Sequence, residues 1–183
     1  MRQENLGALI GAVFGAVFVF VNTSDPLSGP AALVLQVLAA VALAAIVLLA
    51  VLANKAPRAA EARPSGGMFG KRYGLVVAAE AVLLFGGIAV LRLLGAPDQA
   101  NVAWIAFVLG VHFLALAVVW RRSSIAVPGV LLTIFGIAGL AMAGIGALPW
   151  IPLVSGTLSG ITLLAGSLTA TAQSFARSRS REA

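Results

Sequence analysis

The sequence predicts an all-α protein, a polytopic transmembrane bundle of about six helices. Of its 183 residues, 61% are hydrophobic and only 10% are charged, and the mean hydropathy is +1.05. A soluble domain is usually near half apolar and a quarter charged. In lipid, a helix is the open-ended element that satisfies its own backbone hydrogen bonds. We therefore expect one membrane domain over residues 1–173, with no soluble domain attached.

Six apolar stretches are long enough to cross a hydrocarbon core about 30 Å thick. The predicted helices span residues 6–22, 31–53, 74–94, 101–120, 125–145 and 153–173. Residues 54–73 form the one long connection and are predicted to be a flexible basic loop. Residues 174–183 are predicted to be a basic cytoplasmic tail.

The distribution of Lys and Arg predicts the orientation of the helices. Eleven of the twelve basic residues fall on one side of the predicted membrane, and only Arg92 lies near the other. Cytoplasmic loops of membrane proteins are rich in Lys and Arg, so both termini are expected in the cytoplasm. The predicted location is the plasma membrane, which in bacteria is the inner membrane. The net charge of +6 is then explained by the topology, and no nucleic acid partner is expected. The predicted partner is the lipid bilayer.

The rare residue types limit the possible chemistry. The chain has no cysteine and one histidine, which excludes disulfides, thiolate metal sites and ligation of haem by two histidines within the chain. No H-E-x-x-H or G-x-S-x-G motif is present. We therefore predict no catalytic residue, no metal site and no cofactor, and a membrane enzyme is the least favoured class.

Helix 1 carries a face of small residues. Gly7, Gly11 and Gly15 repeat every four positions, and such a face lets another helix approach closely in lipid. The partner is either another helix of this chain or the same helix in a second copy, which would make the protein a homo-oligomer.

A polar stripe is predicted along helix 6. Ser155, Ser159, Thr162, Gly166 and Thr169 follow each other at steps of four and three residues, which places them on one side of a regular helix. The stripe has two interpretations: it lines a hydrated path, or it packs against a neighbour with its hydroxyl groups bonded across or to their own backbone.

Two titratable side chains lie well inside predicted helices, Glu80 and His112. Placing a charge at the centre of a bilayer costs on the order of 3 kcal/mol, so such residues are usually paired, buried or functional. At about 1.5 Å per residue, the two lie roughly 9 and 12 Å from the cytoplasmic side on neighbouring antiparallel helices. The pair is predicted either to bind or relay a proton or cation, or to act as a polar clamp between the helices.

The segment Arg72–Ala117 carries a pattern shared with a known group of proteins. It contains R-Y-x6-E, ending at Glu80, and the run V-L-G-V-H-F-L-A-L-A around His112. The segment, about a quarter of the chain, resembles uncharacterised bacterial multispanning membrane proteins. It departs from their pattern at Leu109, where they have glycine, and at Ala115, where they have proline. The resemblance implies that the glutamate and the histidine belong to one motif, and it implies no known activity.

Two classes of function remain. The first is a structural or accessory membrane protein that acts by helix contact with itself or with another membrane subunit. This class requires no catalytic or transport motif, and the glycine face of helix 1 agrees with it. The alternative is a small proton- or cation-coupled transporter that uses Glu80 and His112.

Overall fold

The computed structural model describes residues 3–23, 26–27, 29–55 and 70–180. Over these residues it is helical, with no strand, which confirms the predicted fold class. The helices are α1 (Gln3–Asn22), α2 (Pro30–Lys55), α3 (Lys71–Leu93), α4 (Gln99–Trp120), α5 (Ser123–Gly144) and α6 (Leu158–Arg179). Six segments of this part of the chain are long and apolar enough to cross a membrane, as in a multi-pass membrane protein.

The sixth span is longer than the sequence predicts. A 3-10 turn at Leu148–Trp150 and a π-helical turn at Pro152–Thr157 lead without a break into α6, which continues to Arg179. Residues 174–179 of the predicted tail are therefore helical. The prediction ended the helix where the apolar run ends, but a helix satisfies its own backbone and can continue into polar sequence.

The predicted 54–73 loop is also shorter at both ends. Residues 54–55 belong to α2 and residues 71–73 belong to α3. The sequence placed these polar residues outside the helices because they lie beyond the apolar runs. Residues 56–69 of this loop and residues 181–183 of the tail lie outside the described residues.

Helices that follow each other along the chain run in opposite directions, and so do α1 and α6. The start of α1 contacts the end of α2 through a hydrogen bond from Asn5 Nδ2 to Asn54 Oδ1. Along α1 and α6, Gly11 faces Ser167 and Gly15 faces Gly160. The ends of the helices at residues 3, 55, 71, 120 and 179 therefore share one end of the bundle, which we call the basic end because Lys71, Arg72, Arg121, Arg122, Arg177 and Arg179 lie there.

The helices form two packed groups. Helices α1, α2 and α6 surround an apolar core that includes Ala12, Val19, Ile46 and Leu164. Helices α4 and α5 form the most extensive contact in the described chain, and α3 packs on α4. The π-helical turn before α6 touches α1, α4 and α5, so it joins the two groups.

Candidate functional site

Helix α3 lies at the margin of the bundle. It packs against α4 and makes no other extensive contact with the described part of the chain. None of its 23 residues, all of them described, is buried. Helix α3 is therefore held to the protein along one face, and that face contains Glu80.

Three kinds of contact connect this face of α3 to α4. Near the basic end, the rings of Tyr73 and Trp120 stack with centroids 5.9 Å apart and an interplanar angle of 12°. Near the other end, Trp104 Nε1 donates a hydrogen bond of 3.0 Å to the backbone oxygen of Leu83. Between them, the carboxylate of Glu80 meets the imidazole of the facing histidine.

The spacing of these residues explains why they meet. Tyr73 and Glu80 are seven residues apart, two helical turns along one face of α3. On α4, His112 lies eight residues before Trp120. At about 1.5 Å per residue, the two separations are about 10.5 Å on α3 and about 12 Å on α4. Because the helices are antiparallel, these similar separations in opposite directions bring Glu80 level with His112 when Tyr73 is level with Trp120.

Glu80 Oε2 lies 3.0 Å from Nδ1 of His112. The two atoms are close enough for an ion pair, but they are not aligned as a hydrogen bond, and Nδ1 is buried without a well-aligned partner among the described residues. The exposed fractions of the side chains are 11% for His112 and 23% for Glu80. The sequence-predicted pair is thus brought together at the margin of the α3–α4 contact, and the carboxylate is its more open member.

This pair has a limited chemical repertoire. A carboxylate and an imidazole at this distance can pair as two charges, or they can hold one proton between them. As potential metal ligands they number two, and no group of three His, Cys, Asp or Glu side chains occurs in the described ranges. The geometry therefore suits a helix clamp or a site for a single proton.

Two of the three glycines predicted on α1 lie at a tight helix contact. A Cβ atom at Gly11 would be 2.9 Å from Ser167 Oγ, and one at Gly15 would be 2.9 Å from the backbone oxygen of Gly160. A Cβ atom at Gly7 would meet nothing within 4 Å. The structure therefore places Gly11 and Gly15 against α6 of the same chain, and leaves Gly7 outside this contact.

The residues of the polar stripe predicted on helix 6 differ in burial. Ser155 and Ser159 are fully buried, Thr162 and Gly166 are half-buried, and Thr169 is exposed. Ser155 Oγ donates across to the backbone oxygen of Phe135 at 2.8 Å. Thr162 and Thr169 instead donate to carbonyl oxygens one turn earlier in their own helix. The five residues therefore do not share one environment: the two serines are buried in the bundle, and the two threonines bond to their own backbone.

A change of helix type separates Ser155 from the other residues of the stripe. Ser155 lies in the π-helical turn, where each turn takes up more residues than in an α-helix, so the phase of the side chains shifts before α6 begins. The face of α6 that packs on α1 and α2 carries a second set of hydroxyl residues. These buried residues, which the sequence analysis missed, are Ser167, Thr171, Ser174 and Ser178.

Three asparagines were also missed. Asn5 and Asn22 are buried near opposite ends of α1, and Asn22 Nδ2 donates to the backbone oxygen of Phe18 at 2.8 Å. Thr157 Oγ1 donates in turn to the backbone oxygen of Asn22 at 3.1 Å. Oδ1 of Asn101, near the start of α4, is buried and makes no hydrogen bond within the described chain. They lie beside turns and helix ends, where Asn is also common at exposed positions, so residue type alone does not predict their burial.

Comparisons with protein families, with curated proteins and with solved structures found no match to this chain. The resemblance of the Arg72–Ala117 segment to multispanning bacterial proteins therefore stays a prediction, and function must be inferred from the geometry.

Proposed function

We propose that this chain is a structural or accessory membrane protein that acts through helix contacts with another membrane subunit or with a second copy of itself. The observation that carries the proposal is the setting of α3. This helix is held to its own chain by α4, and none of its residues is buried.

The open surface of α3 is strongly apolar. Leu75, Val82 and Phe85 are all mostly exposed, and they lie on the part of the helix that α4 does not cover. In a membrane, such a surface is covered by lipid or by the helix of another protein. A helix that is fixed on one side and open on the others is suited to present itself to a partner.

In this proposal, Glu80 and His112 form a polar clamp. Their contact sets the height and the rotation of α3 on α4. Placing two polar groups in an apolar region costs much less free energy when they face each other than when they are separated. Near the basic end, the stacked rings of Tyr73 and Trp120 hold α3 and α4 in the same register.

Cysteine substitution tests the proposal directly, because the chain contains no natural cysteine. A photoactivatable cross-linker would be attached at Val82→Cys or Phe85→Cys on α3, in membranes. The matched controls are Val34→Cys on α2 and Val127→Cys on α5, which are exposed in the same way. We expect discrete protein adducts from the α3 positions alone; the absence of an adduct from α3, or the same adducts from all four positions, contradicts the proposal.

A second candidate function is proton- or cation-coupled transport. It is favoured by one observation, the 3.0 Å approach of Glu80 Oε2 to His112 Nδ1 at a partly open position. Reconstitution into liposomes with a pH gradient tests it: a transporter dissipates the gradient, and Glu80→Gln abolishes that flux while helix content is retained. A clamp gives no flux in either protein.

The proposed location is the plasma membrane, the inner membrane in bacteria, with both termini in the cytoplasm. The basic end supports this orientation because cytoplasmic segments are rich in Lys and Arg. A Ser180→Cys variant tests it in intact cells. We expect that a membrane-impermeant thiol reagent labels this position only after the cells are opened; labelling in intact cells would reverse the orientation.

A further inference from the structure

Four cationic residues surround the stacked Tyr73 and Trp120 rings. Lys71 and Arg72 immediately precede the tyrosine at the start of α3, and Arg121 and Arg122 immediately follow the tryptophan. The stacking holds the two rings 5.9 Å apart, so the two basic pairs lie at one corner of the basic end. We call Lys71, Arg72, Arg121 and Arg122 the basic corner.

A tight, hydrogen-bonded turn carries Arg121 and Arg122. Only two residues separate α4 from α5, and Arg121 adopts a left-handed conformation with φ of 51°. Its N–H contacts the backbone oxygen of Val118, and that of Arg122 bonds to the backbone oxygen of Ala117 at 3.0 Å. The two arginines are therefore carried on a tight turn, and all four side chains of the basic corner are exposed.

Helix stability does not explain the charges on α3. Lys71 and Arg72 occupy the amino end of a helix, where the helix dipole disfavours cations and favours anions. The N-cap residue Gly70 supplies no side-chain hydrogen bond to this end, and the amino end of α5 likewise has none from Arg122. Two helix amino ends and four cations therefore favour an anion at the same corner.

The two chain segments that carry the basic corner contain only basic charges. Residues 70–79 and 113–127 contain no Asp or Glu. The first acidic residue along α3 is Glu80, whose carboxylate lies against His112. This local excess of positive charge favours an anionic ligand.

The surface next to the basic corner is apolar. Leu75 is 72% exposed and Val118 is 78% exposed, and each lies within one turn of the aromatic stack on its own helix. Tyr and Trp are the residues enriched at the level of lipid headgroups. A ligand that fits this arrangement has an anionic head and an apolar tail.

We propose that the basic corner binds an anionic phospholipid, with its headgroup at Lys71, Arg72 and Arg121 and its acyl chains along Leu75 and Val118. The attraction of Lys and Arg to anionic headgroups supplies the affinity, and the tight turn and the aromatic stack supply the localisation. The proposal does not depend on the function assigned to Glu80 and His112.

Native mass spectrometry of the purified full chain tests the proposal. The protein would be extracted from liposomes of phosphatidylcholine and phosphatidylglycerol, and the lipid that stays bound would be identified. The test variant is Arg72→Gln with Arg121→Gln. The matched control is Arg177→Gln with Arg179→Gln, which removes the same charge from exposed positions at the same end.

We expect the basic-corner variant to retain about tenfold less phosphatidylglycerol than the unaltered protein, and the control variant to differ from it by less than about twofold. Arg72→Lys with Arg121→Lys should restore retention, which separates the loss of charge from a failure to fold. Equal losses in both glutamine variants, or retention of phosphatidylcholine at the same level, overturn the proposal. Displacement of the lipid by inorganic phosphate alone, or by a soluble acidic peptide, also overturns it, because the apolar surface would then contribute nothing.

Discussion

The indole of Trp104 fixes α3 on α4 in two ways. Its Nε1 donates a hydrogen bond of 3.0 Å to the backbone oxygen of Leu83, and its ring fills the space above Gly87. A side chain at that glycine would overlap the indole. The absence of a Cβ atom at one position of α3 therefore permits the tryptophan of α4 to reach the α3 backbone.

Gly87→Ala should loosen the contact between α3 and α4. An added Cβ atom would overlap Trp104 Nε1, and neither the ring nor its hydrogen bond can stay in place. We expect a loss of about 1–3 kcal/mol in the free energy of unfolding, measured by denaturation in detergent micelles. The matched control is Gly86→Ala, where the new atom meets nothing within 4 Å; equal losses in the two variants would contradict this role of Trp104.

Gly15→Ala should weaken the packing of α1 on α6. The new Cβ atom would be 2.9 Å from the backbone oxygen of Gly160 and 3.0 Å from Leu163 Cβ, so the helices must separate. We expect a thermal midpoint well below that of the unaltered protein, from a loss of about 1–3 kcal/mol. Gly7→Ala serves as the control and should be neutral or gain up to about 1 kcal/mol, because Ala favours a helix.

Ser155→Ala and Ser159→Ala should have different effects although both serines are fully buried. Ser155 Oγ donates to the backbone oxygen of Phe135, so its removal should cost about 1 kcal/mol. Ser159 Oγ is buried and has no hydrogen-bond partner among the described residues. Its replacement should leave stability unchanged or raise it by up to about 1 kcal/mol. A clear loss of stability in Ser159→Ala would show that this hydroxyl group has a partner.

The fold was predictable because amino-acid composition alone identifies the membrane-spanning segments. Each span is an apolar run bounded by charge or turn-forming residues, and the bilayer admits few structures other than helices for such runs. The ends of the spans were less predictable, because a helix can extend past the apolar run. Residues 174–179 show this, since their Ser and Arg side chains continue α6 beyond the predicted boundary.

A contact between Glu80 and His112 could also be predicted as a possibility from the sequence. The short turn between α3 and α4 makes the helices antiparallel neighbours, and counting residues from the basic end puts the two side chains near the same depth. The rotation of each helix was not predictable, so contact was one possibility among several. The structure supplies that rotation and brings the two atoms to 3.0 Å.

The buried face of α6 could not be identified from its residue types. Ser167, Thr171, Ser174 and Ser178 follow one another at steps of four, three and four residues, as the residues of the predicted stripe do. Two faces of one helix therefore carry the same hydroxyl pattern. Which of them is buried depends on how α6 packs on α1 and α2, and the hydroxyl pattern does not determine that packing.

The central claim is that Glu80 and His112 stabilise the α3–α4 contact as a pair. A double-mutant cycle with Glu80→Ala, His112→Ala and the double variant, followed by unfolding in detergent micelles, tests it most directly. We expect each single variant to lose stability and the double variant to lose about 1–2 kcal/mol less than the sum of the two losses. Losses that add to within about 0.3 kcal/mol would show that the two side chains act independently, and would contradict the clamp.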